Sequence, residues 1–477
     1  MKREKARRQF EQYQDAIARL YPEIHRSREV ENGSAQLHGK DRVLSRNVTF
    51  QVTDYCNLKC TYCYQINKKT RMMSQETARK YIDLLLSGEK GFSDYVDPSY
   101  SPAIIIEFIG GEPFTNVELI DYACTYFMKR AIELHHPWAN NFMISICSNG
   151  TLYFKPEVQA FLKKWKHRMS FSVTIDGDKE LHDSCRVFPD GSGSYDLAVA
   201  AAKDWMAGGE YMGSKITIAP GNIDHVSHAI QHMVEMGYKE INCNCVYEKG
   251  WTEEHATKLY YQLKEACTYL MDNNLEQEIF VSIMDDDFFK PKSVKDTQTW
   301  CGGLGDMLSC DPDGYLYPCI RYMESSLGSD RPPVRIGHVD TGICQCDEEK
   351  CTLCELCSVD RRTYNTDECF YCPIAAGCAD CAAYNYQDSG TFNQRAIYIC
   401  EMHKARALVN AWYWAKYYEK YEPDNKFKLY VPDDWALKII PQEELDMIKA
   451  LPNIELCQMH WEDVKKICDE HGDFTFT

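Results

Sequence analysis

Short apolar runs rich in β-branched residues alternate with amphipathic stretches over the first 273 residues of the chain. Each run is followed by apolar positions that recur at helical spacing. The predicted strands cover 47–53, 103–109, 142–147, 170–175, 214–219 and 239–246. The predicted helices lie near 74–87, 116–134, 156–166, 195–207, 223–236 and 253–273. Repeated strand-then-helix units predict an α/β fold with a parallel sheet covered by helices.

Six such units are too few for a closed eight-stranded barrel, so we expect an open, partial (βα)6 barrel over 46–295. Ligands of such folds bind where strands end and loops begin. Before it, 1–45 has the pattern of a charged helical arm. After it come a cysteine-dense region at 296–402 and a mainly helical extension at 403–477 with a long aromatic helix, a short strand and another helix.

Composition narrows the class of protein. The 477 residues are 44% hydrophobic and carry a formal net charge of −18, which repels phosphate backbones and anionic membranes. There is no apolar run of membrane-spanning length, and the N-terminus lacks the apolar block of a signal peptide. We therefore expect a cytoplasmic protein that binds neither nucleic acid nor membrane.

The 24 cysteines are the unusual feature, since a disulfide framework is not expected in a reducing cytosol. Eight are scattered through strand and helix patterns and are interpreted as inert core thiols: Cys124, Cys147, Cys185, Cys243, Cys245, Cys267, Cys457 and Cys468. The other sixteen fall in two places, three near position 60 and thirteen within 301–400. This clustering indicates metal ligands.

The first cluster lies in TDYCNLKCTYCY, directly after the first predicted strand, with Cys56, Cys60 and Cys63 spaced C-x3-C-x2-C. A structural zinc site needs a fourth protein ligand, and the next fifty residues offer no further cysteine. Three thiolates suit a 4Fe-4S cluster that keeps one iron open for a small molecule. A zinc site that recruits a distant fourth ligand remains the alternative.

This triplet, with an aromatic residue before its last cysteine, resembles the signature of radical S-adenosylmethionine (SAM) enzymes. FIGGEPF at 108–114 resembles the family's GGE motif, and CSNGTLY and SVTIDGDKELHDSCR end the third and fourth predicted strands. The resemblance implies a SAM site with the amino group near the GGE motif, the ribose near Thr174 and Asp176, and the carboxylate on Arg186. The implied cofactor-binding residues are Gly110, Gly111, Glu112, Ser148, Asn149, Thr174, Asp176 and Arg186.

The later cysteines are similar to the SPASM domain, which holds two auxiliary 4Fe-4S clusters. By this resemblance one cluster takes Cys301, Cys319 and Cys381, and the other takes Cys369, Cys372, Cys378 and Cys400. Cys310 is either a fourth ligand of the first cluster or a buried thiol of the hairpin around Gly314. Only Ala379 and Asp380 separate Cys378 from Cys381, one residue fewer than the family spacing.

Five cysteines within an insertion at 344–357 are not required by the SPASM pattern: Cys344, Cys346, Cys351, Cys354 and Cys357. Their dense spacing could hold zinc or a further iron-sulfur cluster. They could equally be spectator thiols.

The resemblance implies three 4Fe-4S clusters, bound SAM and a reductant such as flavodoxin or ferredoxin. It also implies a radical enzyme that removes hydrogen from a ribosomally made precursor peptide. We favour thioether crosslinking of a cysteine-containing peptide, with carbon-carbon crosslinking as the alternative.

Two other activities fit less well. Sulfatase maturases of this family carry an aspartate directly after the cysteine that matches Cys319, where this chain has Ile320. An iron-sulfur electron carrier would also use many cysteines, but it would not need the motifs at the strand ends.

Overall fold

A computed structural model describes residues 35–37, 40–42, 47–99, 101, 103–305, 307–344 and 352–474. The strands, in chain order, are β1 (Ala35–Leu37), β2 (Lys40–Arg42), β3 (Asn47–Gln51), β4 (Ile104–Ile109), β5 (Phe142–Ser148), β6 (Met169–Val173), β7 (Ile216–Ile218), β8 (Glu240–Ile241), β9 (Cys243–Cys245), β10 (Phe280–Val281), β11 (Leu308–Cys310), β12 (Tyr315–Tyr317), β13 (Gly337–His338), β14 (Gly342–Ile343), β15 (Phe427–Leu429) and β16 (Ile454–Leu456).

The α-helices, in chain order, are α1 (Gln75–Ser87), α2 (Val117–Glu133), α3 (Pro156–Trp165), α4 (Lys179–Cys185), α5 (Tyr195–Ala207), α6 (Val226–Glu235), α7 (Glu253–Asp272), α8 (Thr352–Ser358), α9 (Arg361–Tyr364), α10 (Asp367–Phe370), α11 (Ala382–Ser389), α12 (Cys400–Tyr421), α13 (Asp433–Ala436), α14 (Gln442–Lys449) and α15 (Trp461–His471). None of these described helices combines the length and apolar character needed to cross a membrane.

The chain divides into two compact units. The first comprises the residues up to Val173, Arg186–Met212 and Gly302–Ser358. The second comprises Thr174–Cys185, Gly213–Cys301 and Val359–Thr477.

The first unit is built on one eight-stranded sheet in the order β14-β13-β12-β11-β3-β4-β5-β6. Strands β3 to β6 run parallel in chain order, as expected for successive strand-helix units. Strand β11 pairs parallel to β3, and the β12–β14 strands continue antiparallel from it. The predicted α/β class, with a parallel sheet and helices, is therefore confirmed.

The two faces of this sheet differ in polarity because side chains alternate along each strand. Phe50 and Phe108 point to the helix-covered face, where the Phe50 ring lies 4.6 Å from that of Tyr81 on α1. On the opposite face Thr49 donates a 2.8 Å hydrogen bond to Glu107. One face thus forms the core, and the other presents polar groups.

Helix α1 shows how local sequence sets element ends. Its N-cap Ser74 accepts a hydrogen bond from the Thr77 amide, and Gly88 ends it with a left-handed φ of 69°. The observed bounds of α1 lie within one residue of the predicted 74–87.

The second unit contains the predicted fifth and sixth strands in a different arrangement from the one we expected. The run 239–246 is interrupted at Asn242, where it changes partner: β8 pairs with β10 and β9 pairs with β7, both in parallel. The run therefore supplies two short strands in place of the one that was predicted.

The C-terminal part of the second unit agrees with its aromatic pattern. Helix α12 buries Trp412, Tyr413, Trp414 and Tyr418, so its aromatic stripe is packing, and it lies along α7. Strands β15 and β16 pair in parallel with α13 and α14 between them in the chain.

The predicted N-terminal helical arm at 1–45 falls almost entirely outside the described residues. Within it the structure describes β1 and β2, an antiparallel strand pair where we expected helix.

Candidate functional site

The three cysteines of the first motif lie on a loop that starts directly after β3 and is closed at its base. Asp54 begins the loop and Arg71 ends it: the Asp54 amide donates to the Arg71 carbonyl at 3.0 Å, and the two side chains form a 2.6 Å ion pair. Arg71 also pairs with Asp313, at 2.6 Å, beyond the end of β11. The loop is therefore held both to its own base and to the neighbouring hairpin.

Within this loop the charges of the three thiols act on one lysine, Lys68. Cys56, Cys60 and Cys63 are all half-buried. Burial raises the pKa of the Cys56 thiol to about 11. Burial lowers the pKa of Lys68, but Cys63, Cys56 and Cys60 together raise it above its usual value. A metal group bound here must therefore displace thiol protons, and the lysine charge favours the resulting thiolates.

Gly110 and Gly111 bring the end of β4 against this loop. The Gly111 amide donates to the Thr53 carbonyl at 3.1 Å, and the Glu112 amide donates to the Tyr55 carbonyl at 2.9 Å. A Cβ on Gly111 would stand 2.4 Å from the Tyr55 carbonyl oxygen and 2.7 Å from Cys56 Cβ. The glycines are thus required by the contact with the cysteine loop itself.

Glu112 ties the end of β4 to the end of β5. Its buried carboxylate accepts hydrogen bonds from Ser148 Oγ and from the Asn149 amide, both at 2.8 Å. Burial raises the pKa of Glu112, and these hydrogen bonds oppose that shift. Asn149 Nδ2 in turn donates to Asn57 Oδ1 at 2.9 Å, next to Cys56.

Arg186 completes this group of residues in the first unit. Its Nη1 donates to the Tyr62 hydroxyl at 2.8 Å, and Tyr62 lies between Cys60 and Cys63 in the chain. The positive charge of Arg186 also lowers the pKa of Glu112, opposing the effect of burial. The sequence-predicted residues Gly110, Gly111, Glu112, Ser148, Asn149 and Arg186 therefore lie together with the cysteine triplet.

Comparison with known proteins identifies proteins of similar sequence. No protein-family model matches the chain. It is 24% identical over 292 residues to the antilisterial bacteriocin subtilosin biosynthesis protein AlbA of Bacillus subtilis, covering 59% of this chain and 57% of that protein. It is 22% identical over 287 residues to the radical SAM cyclopropyl synthase TigE of Paramaledivibacter caminithermalis, covering 56% of each. The chain thus spans a little over half the length of these two relatives.

A solved structure shows the same likeness at the level of the fold. Native anSMEcpe with bound AdoMet and Kp18Cys peptide matches with a TM-score of 0.56 at 17% identity, covering 76% of this chain and 95% of that chain. The chain has the fold of the radical SAM enzymes. The resemblance predicted from the cysteine triplet and the strand-end motifs is confirmed.

Two of the residues that the sequence resemblance assigns to the SAM ribose belong to the second unit. Asp176 is fully buried, and its Oδ1 accepts a 3.3 Å hydrogen bond from the Thr217 amide of β7. Its own amide donates to His182 Nδ1 at 3.3 Å. Thr174 is buried two residues before it.

Cys310 lies on the helix-covered face of the first unit's sheet. In β11 it pairs with Phe50 of β3 and Leu316 of β12, and it is fully buried. Burial raises the pKa of its thiol well above the usual value, and its charge would in turn raise that of Tyr81.

Cys319 follows β12 and is half-buried. The Arg321 guanidinium lies 4.8 Å from the centre of the Tyr64 ring. The charges of Cys63 and Cys319 both raise the pKa of the Tyr64 hydroxyl. Both thiols therefore lie near Tyr64 in the first unit. Cys301 and Cys381 belong to the second unit.

Four cysteines of the SPASM pattern come together in the second unit. Burial raises the pKa of Cys372, and the thiols of Cys378, Cys400 and Cys369 raise it further. Burial raises the pKa of Cys400 to about 12, again helped by Cys378 and Cys369. The four thiols predicted for one auxiliary cluster are thus close enough for their charges to influence one another.

The donor set limits the metal groups that could bind. Thiolates are ligands of zinc and of iron-sulfur clusters, and a four-cysteine group suits either. The residues of the described cysteine groups therefore fit an iron-sulfur cluster by their chemistry. Among the residues that the structure describes, Asp285, Asp286 and Asp287 bring three ligand atoms within 4.8 Å of one another.

The remaining cysteines differ from expectation in part. Cys346 and Cys351 of the insertion lie outside the described residues, whereas Cys354 and Cys357 lie one turn apart on α8 and Cys344 follows β14. Among the eight scattered cysteines, Cys147 on β5 is exposed, so its interpretation as a buried core thiol is wrong. It points to the polar face because it alternates with buried Ile146 and Ser148.

Sequence reasoning missed three groups that surround the predicted ligands. These are Lys68 within the cysteine loop, the Arg71 network at its base, and Arg395 beside Cys378. Each is a lone charged residue without a motif, so only its contacts reveal it.

Proposed function

We propose that the chain is a radical SAM peptide maturase that removes hydrogen from a precursor peptide and forms thioether crosslinks from its cysteines. The carrying observation is the convergence in the first unit of Cys56, Cys60 and Cys63 with the GGE segment, Asn149 and Arg186. When bound, the cluster would supply the electron for reductive cleavage of SAM into methionine and a 5′-deoxyadenosyl radical, the group that would take the substrate hydrogen.

The relatives support a peptide substrate. One takes part in biosynthesis of the bacteriocin subtilosin, and the matching solved structure holds AdoMet together with a peptide. One relative is named a cyclopropyl synthase, so the bond formed is a separate question from the radical chemistry.

The contacts support different tasks for the residues of the proposed site. The triplet cysteines hold a cluster and leave one iron for SAM. Arg186, already oriented by Tyr62, offers the planar fork that suits a carboxylate. Glu112 accepts hydrogen bonds from Ser148 and Asn149, so its task is to fix the strand ends, and the nearby backbone carbonyls receive the amino group of SAM.

Other sequence-based assignments stay predictions. These concern Thr174 and Asp176 at the ribose, the count of three clusters, a flavodoxin or ferredoxin as reductant, and a cytoplasmic location. For Cys310, its position opposite Phe50 on the core face favours the buried thiol over a cluster ligand.

The decisive experiment is anaerobic reconstitution with iron and sulfide, followed by dithionite, SAM and a cysteine-containing precursor peptide. We expect 5′-deoxyadenosine to form and the peptide to lose the mass of two hydrogen atoms per crosslink. Absence of 5′-deoxyadenosine in iron-loaded protein would instead indicate an iron-sulfur electron carrier.

A matched peptide separates thioether from carbon-carbon crosslinking. Replacing every substrate cysteine by serine should abolish the crosslink while uncoupled 5′-deoxyadenosine formation continues. If the serine peptide is crosslinked equally well, the carbon-carbon alternative is correct. Loss of two hydrogens confined to one unlinked residue would instead indicate a formylglycine-type oxidation.

A further inference from the structure

One arginine contacts a sulfur of the four-cysteine group in the second unit. Arg395 Nη2 donates to Cys378 Sγ at 2.9 Å and to the Cys378 carbonyl at 2.6 Å. Arg395 lies in the segment between α11 and α12, outside every cysteine motif in the sequence. The next residue, Ala396, is anchored by its amide to Asn385 Oδ1 at 3.2 Å.

The electrostatics of Arg395 follow from this contact. An arginine guanidinium keeps its charge throughout the physiological pH range, and the hydrogen bond brings that charge directly to the Cys378 sulfur. The arginine therefore stabilises negative charge on that sulfur.

The other cations near the group make hydrogen bonds to groups other than the sulfurs. Lys404, close to Cys400, is ion-paired with Glu401 at 2.8 Å. Arg361 donates to the carbonyls of Ser293, Asp296 and Phe370. Arg406 Nη1 donates a hydrogen bond to His403 Nδ1 at 3.1 Å. Among the described side chains, Arg395 is the arginine that the structure shows hydrogen-bonded to a sulfur of this four-cysteine group.

We propose that Arg395 is a positioning residue that raises the reduction potential of an iron-sulfur cluster held by Cys369, Cys372, Cys378 and Cys400. The inference rests on the proposed function, because that function places a cluster on these cysteines. Reduction adds one electron from the reductant to the cluster and changes no bond. A fixed positive charge donating to a ligand sulfur favours the electron-richer state, and hydrogen bonds to the sulfurs are among the determinants of cluster potential.

The test is a potentiometric titration, followed by EPR, of the full-length protein reconstituted with iron and sulfide. Arg395→Gln should lower the reduction equilibrium constant of one cluster at least tenfold, a shift of 59 mV for one electron, and leave the others unchanged. Arg395→Lys keeps the charge without the fork and should give an intermediate potential with full iron content.

Arg362→Gln is the matched control. Arg362 is an exposed arginine that pairs with Asp367 at 2.9 Å beside Cys369 but donates to no sulfur among the contacts described, so its loss should leave every potential unchanged. Equal potentials in wild type, Arg395→Gln and Arg395→Lys at equal iron content would overturn the proposal.

If Arg395→Gln loses iron, the potential of Arg395→Lys tests the proposal instead. An unchanged potential, or loss of iron there as well, makes Arg395 a purely structural residue and overturns the proposal. The result is separable from the proposed function: wild-type protein that forms no 5′-deoxyadenosine refutes the maturase, while a shifted potential in Arg395→Gln still supports the tuning role.

Discussion

Cys310 differs from its neighbouring motif cysteines in the face on which its strand places it. Strand β11 is paired in register with β3, so Cys310 is opposite Phe50 and shares the core face with Tyr81. Cys319 follows the hairpin and lies near Tyr64 and Cys63 instead. One cysteine is therefore packed as a small apolar side chain, and the other is available to a metal group.

This difference predicts opposite results for two single substitutions. Cys310→Ala should retain the wild-type iron content and lower the free energy of unfolding by about 1 kcal/mol, because it leaves a small cavity in a packed core. Cys319→Ala should lose iron with little change in stability. Iron analysis and anaerobic urea unfolding measure both, and loss of about four irons in Cys310→Ala would establish it as a ligand.

At the same scale, the sequence predicted the positions of the candidate site residues better than it predicted the contacts that those residues make. The resemblance predicted that the GGE glycines lie at the SAM amino group, but it did not predict that a Cβ on Gly110 would collide with Thr53, and one on Gly111 with Tyr55 and Cys56. Such a contact joins segments about fifty residues apart, so it cannot be inferred from local pattern. Arg395 was missed for the same reason, since its relation to Cys378 exists only in the folded chain.

At the scale of elements, the cysteine loop is closed by a largely buried ion pair. Asp54 has no exposed side-chain surface, and Arg71 is only 20% exposed. Two further carboxylates approach the same guanidinium, Asp313 at 2.6 Å and Asp311 at 3.7 Å. Burial acts to lower the pKa of Arg71, but the hydrogen bonds with Asp54 and Asp313 raise it overall.

We therefore predict that Arg71→Met destabilises the protein by about 3 kcal/mol, because removing one partner leaves buried carboxylates without a counter-charge. The loss should be concentrated in the loop and appear as faster amide hydrogen exchange over residues 54–71. Arg79→Met is the control: its pair with Asp83 is half-exposed, and losing it should cost about 1 kcal/mol or less. Equal destabilisation by the two substitutions would contradict a special role for the loop base.

Element prediction succeeded where periodicity was long and failed where strands were short. Helices α1, α2, α3, α5 and α7 were predicted within about one residue of their ends, since amphipathic repeats and caps are local. The run 239–246 was predicted as one strand, but Asn242 divides it between β10 and β7. Pairing partners depend on tertiary contacts, so a continuous apolar run does not reveal such a change.

At the scale of the whole molecule, two separate cysteine sets belong to the two compact units. The triplet of Cys56, Cys60 and Cys63 lies in the first, and the group around Cys372 lies in the second. Each set is surrounded by the charges of its own unit, Lys68 in one and Arg395 in the other. Each should therefore assemble without the other.

The resulting prediction concerns additivity of iron loss. With three 4Fe-4S clusters, about twelve irons per chain are expected. Replacing all three triplet cysteines by alanine should remove about four irons, and so should the double variant Cys369→Ala/Cys372→Ala. Combining both changes should remove about eight, because substitutions that share no partners act independently. The triplet variant should lose all 5′-deoxyadenosine formation, whereas the Cys369→Ala/Cys372→Ala variant should retain cleavage of SAM. A loss of eight irons from either set alone would instead show that the two clusters depend on each other for assembly.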